Sequence, residues 1–130
     1  RFHEAKINNL TEVIVWGDGK AKREFLYVDD MAEASIFILG LEKEKYQKYI
    51  DPMCSHINIG TGQDISIFKL AETMKKITGF NGNIKFDISK PNGTPRKLLD
   101  TSKLEKMGWK YKYNLIEGLE KTYNWFVNRS

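Results

Sequence analysis

Between Val13 and Asp30 the chain reads Val-Ile-Val-Trp-Gly-Asp-Gly-Lys-Ala-Lys-Arg-Glu-Phe-Leu-Tyr-Val-Asp-Asp, two short apolar runs held apart by a glycine-flanked turn and a basic stretch. A continuous helix does not survive that interruption, because Gly17 and Gly19 favour positive φ and weaken helical backbone. The β-branched and aromatic residues on either side favour extended structure. The stretch predicts strands at Val13–Trp16 and Phe25–Val28 joined as a hairpin or as strand–loop–strand, so the fold must contain a sheet.

Helical periodicity and helix stops surround it. Arg1 to Leu10 reads as the end of a helix, with Phe2 and Ala5 on one face. Asp29 or Asp30 can cap a helix running to about Leu41, and Glu33 lies at the capping-box position relative to Asp30. This helix is apolar around much of its girth (Ala32, Ala34, Ile36, Ile38, Leu39), which predicts burial. Glu42 to Ile50 is charged and reads as surface. His56–Ile59 predicts a short strand leading into Gly60-Thr-Gly62; Ser66 then caps a helix with Ile67, Leu70, Ala71, Met74 and Ile77 at helical spacing, stopped by Gly79. Asn83–Phe86 predicts another strand, Ile88 to Leu98 a loop with two prolines, Asp100 the cap of a short helix ending near Gly108, and Asn114 with Glu117 the capping box of a last helix that must dock through Leu115, Leu119, Tyr123 and Phe126. Strands alternating with helices define the α/β or α+β class.

Composition narrows the function. The 130 residues carry 21 Lys and Arg against 17 acids, a net +4, with no block of like charges. A mild, dispersed surplus suits an anionic small ligand better than nucleic acid, which calls for a concentrated basic stripe. No apolar run reaches membrane-spanning length, and no signal region opens the chain. The single Cys54 forms no internal disulfide and lacks zinc-site spacing. Asn-x-Ser/Thr triplets at Asn9, Asn92 and Asn128 carry no weight without a secretory signal. These features point to the cytoplasm, with neither a nucleic-acid nor a membrane partner, and the non-Met start reads as an excised segment.

Self-contained catalysis is not visible. Gly17-Asp-Gly-Lys-Ala-Lys22 and Gly60-Thr-Gly-Gln-Asp-Ile65 both lack the third glycine of a dinucleotide fingerprint. There is no Tyr-x-x-x-Lys, no Gly-x-Ser-x-Gly and no metal-ligand cluster, and His3 and His56 read as structural. Asp29-Asp30 offers paired carboxylates, but a helix start favours capping. Binding chemistry is better represented. Arg23 offers a planar fork for phosphate beside Lys20 and Lys22; the alternative is a surface ion pair with Glu24 or another acid. Trp16 can stack on a base or fill the core, and spacing alone favours the core. The loop Ser89-Lys-Pro-Asn-Gly-Thr-Pro-Arg-Lys97 combines stiffening prolines with Lys90, Arg96 and Lys97, and reads equally as a binding loop or a solvated connector.

A resemblance decides among these. Val15-Trp-Gly-Asp-Gly with Arg23-Glu-Phe-Leu-Tyr-Val-Asp-Asp-Met-Ala32, Ile57-Asn-Ile-Gly-Thr-Gly62, and Phe86-Asp-Ile-Ser-Lys-Pro-Asn-Gly-Thr-Pro-Arg-Lys-Leu-Leu-Asp100 resemble the C-terminal half of the GDP-L-fucose synthases, a family of extended short-chain dehydrogenases. The Arg-Glu-Phe-Leu and Val-Asp-Asp pieces are superfamily-wide, whereas the Lys-Pro-x-Gly-Thr-Pro-Arg-Lys loop is more specific. The resemblance implies that residues 1–130 are the substrate-binding portion of a Rossmann-like fold, a small mixed sheet with several helices whose N-terminal Rossmann half lies outside this chain. It implies an intact homodimeric enzyme that converts GDP-4-keto-6-deoxy-D-mannose to GDP-L-fucose by 3,5-epimerisation and reduction with NADP(H). The cofactor would be held mainly by the other half, with no metal and no catalytic residue here. Cys54 and His56 match no catalytic position of the family.

Substrate contacts carry over by the same resemblance. Arg23 would pair with the diphosphate, Trp16 would pack on the nucleotide, Arg1 would reach the substrate from the preceding helix, and Asn92 would hydrogen-bond it from the loop. The family commonly has Asp at that last position; Asn keeps an acceptor oxygen and loses the charge. Two other readings stand beside this one: a related epimerase or dehydratase for another nucleotide sugar, and a non-catalytic basic binding module.

Overall fold

The computed structural model describes residues 1–129. Helix α1 (Phe2–Ile7) leads into strand β1 (Glu12–Trp16), and a glycine turn leads to β2 (Lys22–Glu24). Helices α2 (Val28–Leu39) and α3 (Lys43–Gln47) follow, then β3 (Asp64–Ser66), α4 (Ile67–Thr78), β4 (Asn83–Asp87), β5 (Arg96–Lys97), α5 (Ser102–Met107) and α6 (Leu115–Val127). This is an α/β chain with two small sheets.

Of the two connections allowed by the sequence, hairpin and strand–loop–strand, the second forms, and β1 and β2 do not pair with each other. β1 pairs in parallel with β4, Val13 opposite Ile84 and Trp16 opposite Asp87, while β2 lies between antiparallel β3 and parallel β5. The strand expected at Phe25–Val28 is also displaced: only Lys22–Glu24 find backbone partners, and Val28 already begins α2. His56–Ile59 is not a strand either. Ile57 and Ile59 pack against a core cluster, but no strand of the described residues lies alongside them. Strand character needs a neighbouring backbone as well as a favourable composition.

The caps divide in the same way. Ser66 caps α4 by accepting the Lys69 amide at 3.2 Å, Gly79 closes that helix at φ +66°, and Asn114 and Glu117 form the reciprocal capping box of α6. The predicted Asp30–Glu33 box fails. Tyr27 stands at the N-cap of α2, and Asp30, 1% exposed, instead accepts the amides of Lys112 and Tyr113 at 3.0 and 3.1 Å. Glu33 pairs with the Lys112 ammonium at 2.8 Å. Asp100 lies one residue before the actual N-cap of α5, Thr101, and accepts the Ser102 amide at 2.9 Å.

Two clusters form the core. Ala5, Val13 and Phe80 join α1, β1 and the end of α4, with Phe2 set edge-on to Phe80. Ala34, Leu104 and Trp109 join α2 to α5, with Leu26, Phe37, Ile38, Ile57, Ile59 and Tyr111 around them. The C-terminal helix docks as expected: His3 hydrogen-bonds the Tyr123 hydroxyl at 3.1 Å and meets the Phe126 ring edge-on. Helix α2 is less buried than its composition predicts. Ala34 is fully covered, yet Ile36 and Leu39 are 71% and 85% exposed, because only one side of the helix meets α5.

Candidate functional site

Alternation along β1 decides where Trp16 goes. Val13 points into the core beside α1, so Ile14 and Trp16 point to the opposite face. Trp16 is 59% exposed, which overturns the core-filling expectation. It stands at the carboxyl end of a parallel strand pair, the edge at which open α/β sheets bind ligands. Two cations attend its ring. The Arg1 guanidinium carbon and the Lys90 ammonium lie 5.7 and 5.8 Å from the centroid, within cation–π range.

The next turn is locked by the loop that follows β4. Gly17 adopts φ +82°, and the Asp18 amide donates to Asn92 Oδ1 at 2.7 Å. A Cβ on Gly17 would collide with that same oxygen, so glycine is required both by conformation and by contact. Asp18 in turn accepts the Lys20 amide at 2.9 Å, the main reason its carboxyl is held below the usual range. Asn92 therefore spends its acceptor on the backbone of the turn that follows Trp16, and its side-chain amide helps to hold the Asp18 carboxyl below the usual range.

Arg23 is fixed from the same loop. Its guanidinium donates to the carbonyls of Lys22 and Thr94 at 2.6 and 2.8 Å, and its position on β2 pairs with Lys97 on β5. Paired residues of adjacent strands project to one face, so the two cations stand side by side. They line a cleft of about 570 Å³ with Glu24, Leu26, Met31 and Leu98, the Glu24 carboxylate itself being engaged by the amides of Thr61, Gly62 and Leu99. Among the described residues no carboxylate lies within ion-pair distance of either. The alternative of an Arg23–Glu24 ion pair is thus not realised. Lys97, one of three loop cations in the sequence, gains its place only through the strand register. Arg96, its neighbour, pairs with Asp64 instead.

Both glycine turns are occupied from within the chain, the second of them by Glu24. Its carboxylate accepts the amides of Thr61 and Gly62 at 2.6 and 2.7 Å through Oε1, and that of Leu99 at 2.9 Å through Oε2. The Gly60–Gly62 turn is an amide nest already filled by an internal anion, and the Asp18 and Lys20 amides of the Gly17–Gly19 turn are likewise taken by Asn92 and Asp18. The Asp18, Lys20, Thr61 and Gly62 amides of these turns are therefore not open to a pyrophosphate. No hydride step is assigned to them.

The loop after β4 thus meets Trp16 through Lys90, the following turn through Asn92 and Arg23 through Thr94, while Arg1 reaches the Trp16 ring from the start of α1. Cys54 and His56 lie elsewhere, beside Lys103, with Sγ 3.8 Å from His56 Nδ1 and 3.7 Å from Lys103 Nζ. Among the described residues no group of three or more His, Cys, Asp or Glu could hold a metal, and no helix is long and apolar enough to cross a membrane.

The model of the NAD dependent epimerase/dehydratase family matches residues 1–60. Similarity to individual proteins is more particular. The chain is 51% identical over 127 residues to GDP-L-fucose synthase of Escherichia coli strain K12, covering 98% of this chain and 40% of that protein. It is 50% identical over 131 residues to a probable GDP-L-fucose synthase of Oryza sativa subsp. japonica, covering 98% of this chain and 36% of that protein. A solved GDP-mannoheptose C4 reductase from Campylobacter jejuni with NADP bound superposes with TM-score 0.80 at 36% identity, covering 97% of this chain and 42% of its own. The chain therefore spans roughly 40% of the length of the curated relatives it matches.

Proposed function

We propose that residues 1–130 form the GDP-sugar-binding portion of a GDP-L-fucose synthase. The full-length protein would convert GDP-4-keto-6-deoxy-D-mannose to GDP-L-fucose with NADP(H), as a cytoplasmic homodimer whose cofactor and catalytic groups are supplied outside this segment. The observation that carries the reading is the edge built by the loop after β4, which sets the exposed Trp16 ring, attended by Arg1, beside the Asn92-locked turn and the unneutralised Arg23–Lys97 pair. An aromatic platform for a base, followed by two cations, matches a nucleoside diphosphate. Arg23 meets the diphosphate with its planar fork, Lys97 adds a point charge, and Arg1 closes over the nucleotide. Asn92 serves mainly by holding the turn that follows Trp16.

The test is calorimetry of GDP binding to the full-length protein and to its Arg23→Ala variant. Loss of a charge-assisted contact of about 2 kcal/mol weakens binding about 30-fold. Unchanged GDP affinity in the variant, or equal affinity of the parent for UDP and dTDP, overturns the assignment.

A further inference from the structure

Trp16 and Asp87 are partners in the parallel register of β1 and β4, so their side chains project from the same face at the carboxyl end of both strands. The Asp87 carboxylate is only half engaged. Its Oδ1 accepts the Ser89 amide at 3.1 Å and the Ser89 hydroxyl at 2.6 Å, while its Oδ2 accepts no hydrogen bond among the described residues. The Ser89 hydroxyl, then the Ser89 amide and the Lys90 and Lys85 charges, hold this carboxyl below the usual range, so it stands ionised at neutral pH. Lys90, whose ammonium attends the Trp16 ring, completes the group.

A base stacked on Trp16 would have the Asp87 carboxylate on the same face of the sheet. A carboxylate oxygen is an acceptor with two lone-pair directions, and among the nucleobases guanine offers two adjacent donors, N1–H and the 2-amino group, with an acceptor, O6, beside them. Uracil offers a single N–H between two carbonyls, and adenine carries no proton on N1, so both would set an acceptor against the carboxylate.

We propose that Asp87 is the residue that selects guanine, its Oδ2 accepting N1–H and N2–H of a base stacked on Trp16 while Lys90 donates to O6. The inference rests on the GDP-sugar reading above and deepens it, since nothing in the Arg23–Lys97 pair distinguishes one nucleoside diphosphate from another. A site built to accept from a ligand donor rejects an analogue lacking it, because its own polar group is then left unpaired.

Calorimetry on the full-length protein with GDP, UDP and inosine diphosphate, which lacks only the 2-amino group, tests this. The parent should bind GDP at least about 10-fold more tightly than inosine diphosphate. Asp87→Asn keeps Oδ1 for the Ser89 turn but puts an NH2 donor where Oδ2 was; GDP binding should weaken about 10- to 100-fold and the preference over inosine diphosphate should vanish. An equal loss for all three nucleotides, or a parent that binds GDP and inosine diphosphate alike, overturns the inference while leaving the Arg23 assignment intact. A parent that binds no GDP removes both. Should Asp87→Asn fail to fold, the nucleotide preference of the parent alone decides.

Discussion

The Asp18 amide donates to Asn92 Oδ1 across 2.7 Å, joining a turn after β1 to a loop after β4 that lies 74 residues further along the chain. The bond makes Trp16 and the loop cations one surface. Substitution at Asn92 should therefore separate acceptor chemistry from charge. Asn92→Ala frees the turn, with an expected loss of about 1 kcal/mol of loop order, read as several-fold weaker GDP binding. Asn92→Asp keeps the acceptor and should bind GDP within about threefold of the parent, since an equivalent bond survives. Near-equal loss in both variants would show that the side-chain amide nitrogen, and not the oxygen, carries the effect.

Glu24 should prove more sensitive than its ordinary place on a strand suggests. Glu24→Ala leaves the amides of Thr61, Gly62 and Leu99 without their acceptor, at a cost of about 3 kcal/mol or more. Gly60→Ala should give the same result from the other side, because its Cβ would fall on Glu24 Oε1. Denaturant unfolding of both variants in the full-length protein checks this, with the two effects expected to be strongly non-additive.

At Asp30 the expected defect is one of stability alone. The carboxylate is buried and accepts two backbone amides, whereas asparagine supplies one oxygen and turns an NH2 donor toward the second N–H. Asp30→Asn should cost about 1–3 kcal/mol while leaving the affinity of the folded fraction for GDP unchanged. A change in affinity at unchanged stability would contradict the structural role.

Acid titration offers an independent check. Backbone amides hold Asp18 and Asp100 below the ordinary carboxylate range, Lys20 being the chief cause for the first and Ser102 for the second. Each folded pKa is depressed, so its contribution is present above the unfolded value of about 3.9 and is lost as pH falls through the folded value. Carboxyl carbon shifts followed by NMR should show midpoints below about 3.9 at both residues; midpoints at or above it would mean that these turns are not formed in solution.

The sequence by itself determined the local structure. Ser66, Gly79 and the Asn114–Glu117 box mark helix ends through interactions spanning a few residues, and β-branched runs at Val13–Val15 and around Ile84 mark two strands. Motif resemblance likewise singled out Arg1, Trp16, Arg23 and Asn92 as substrate-binding candidates. Tertiary structure decided what each of these faces. Whether Trp16 filled the core or met solvent depended on which side of β1 received α1, and whether Arg23 was neutralised by Glu24 depended on the distant amides that claimed Glu24. The Asp29–Asp30 pair read as a cap because capping is the local use of such residues, yet Asp30 serves a backbone 82 residues away. Lys97 and Asp87 acquired their places through the register of strands far apart in sequence. Turns and caps are set by neighbours along the chain, whereas strand pairing and the partners of buried carboxylates are set by loop closure over long separations, which no local pattern encodes.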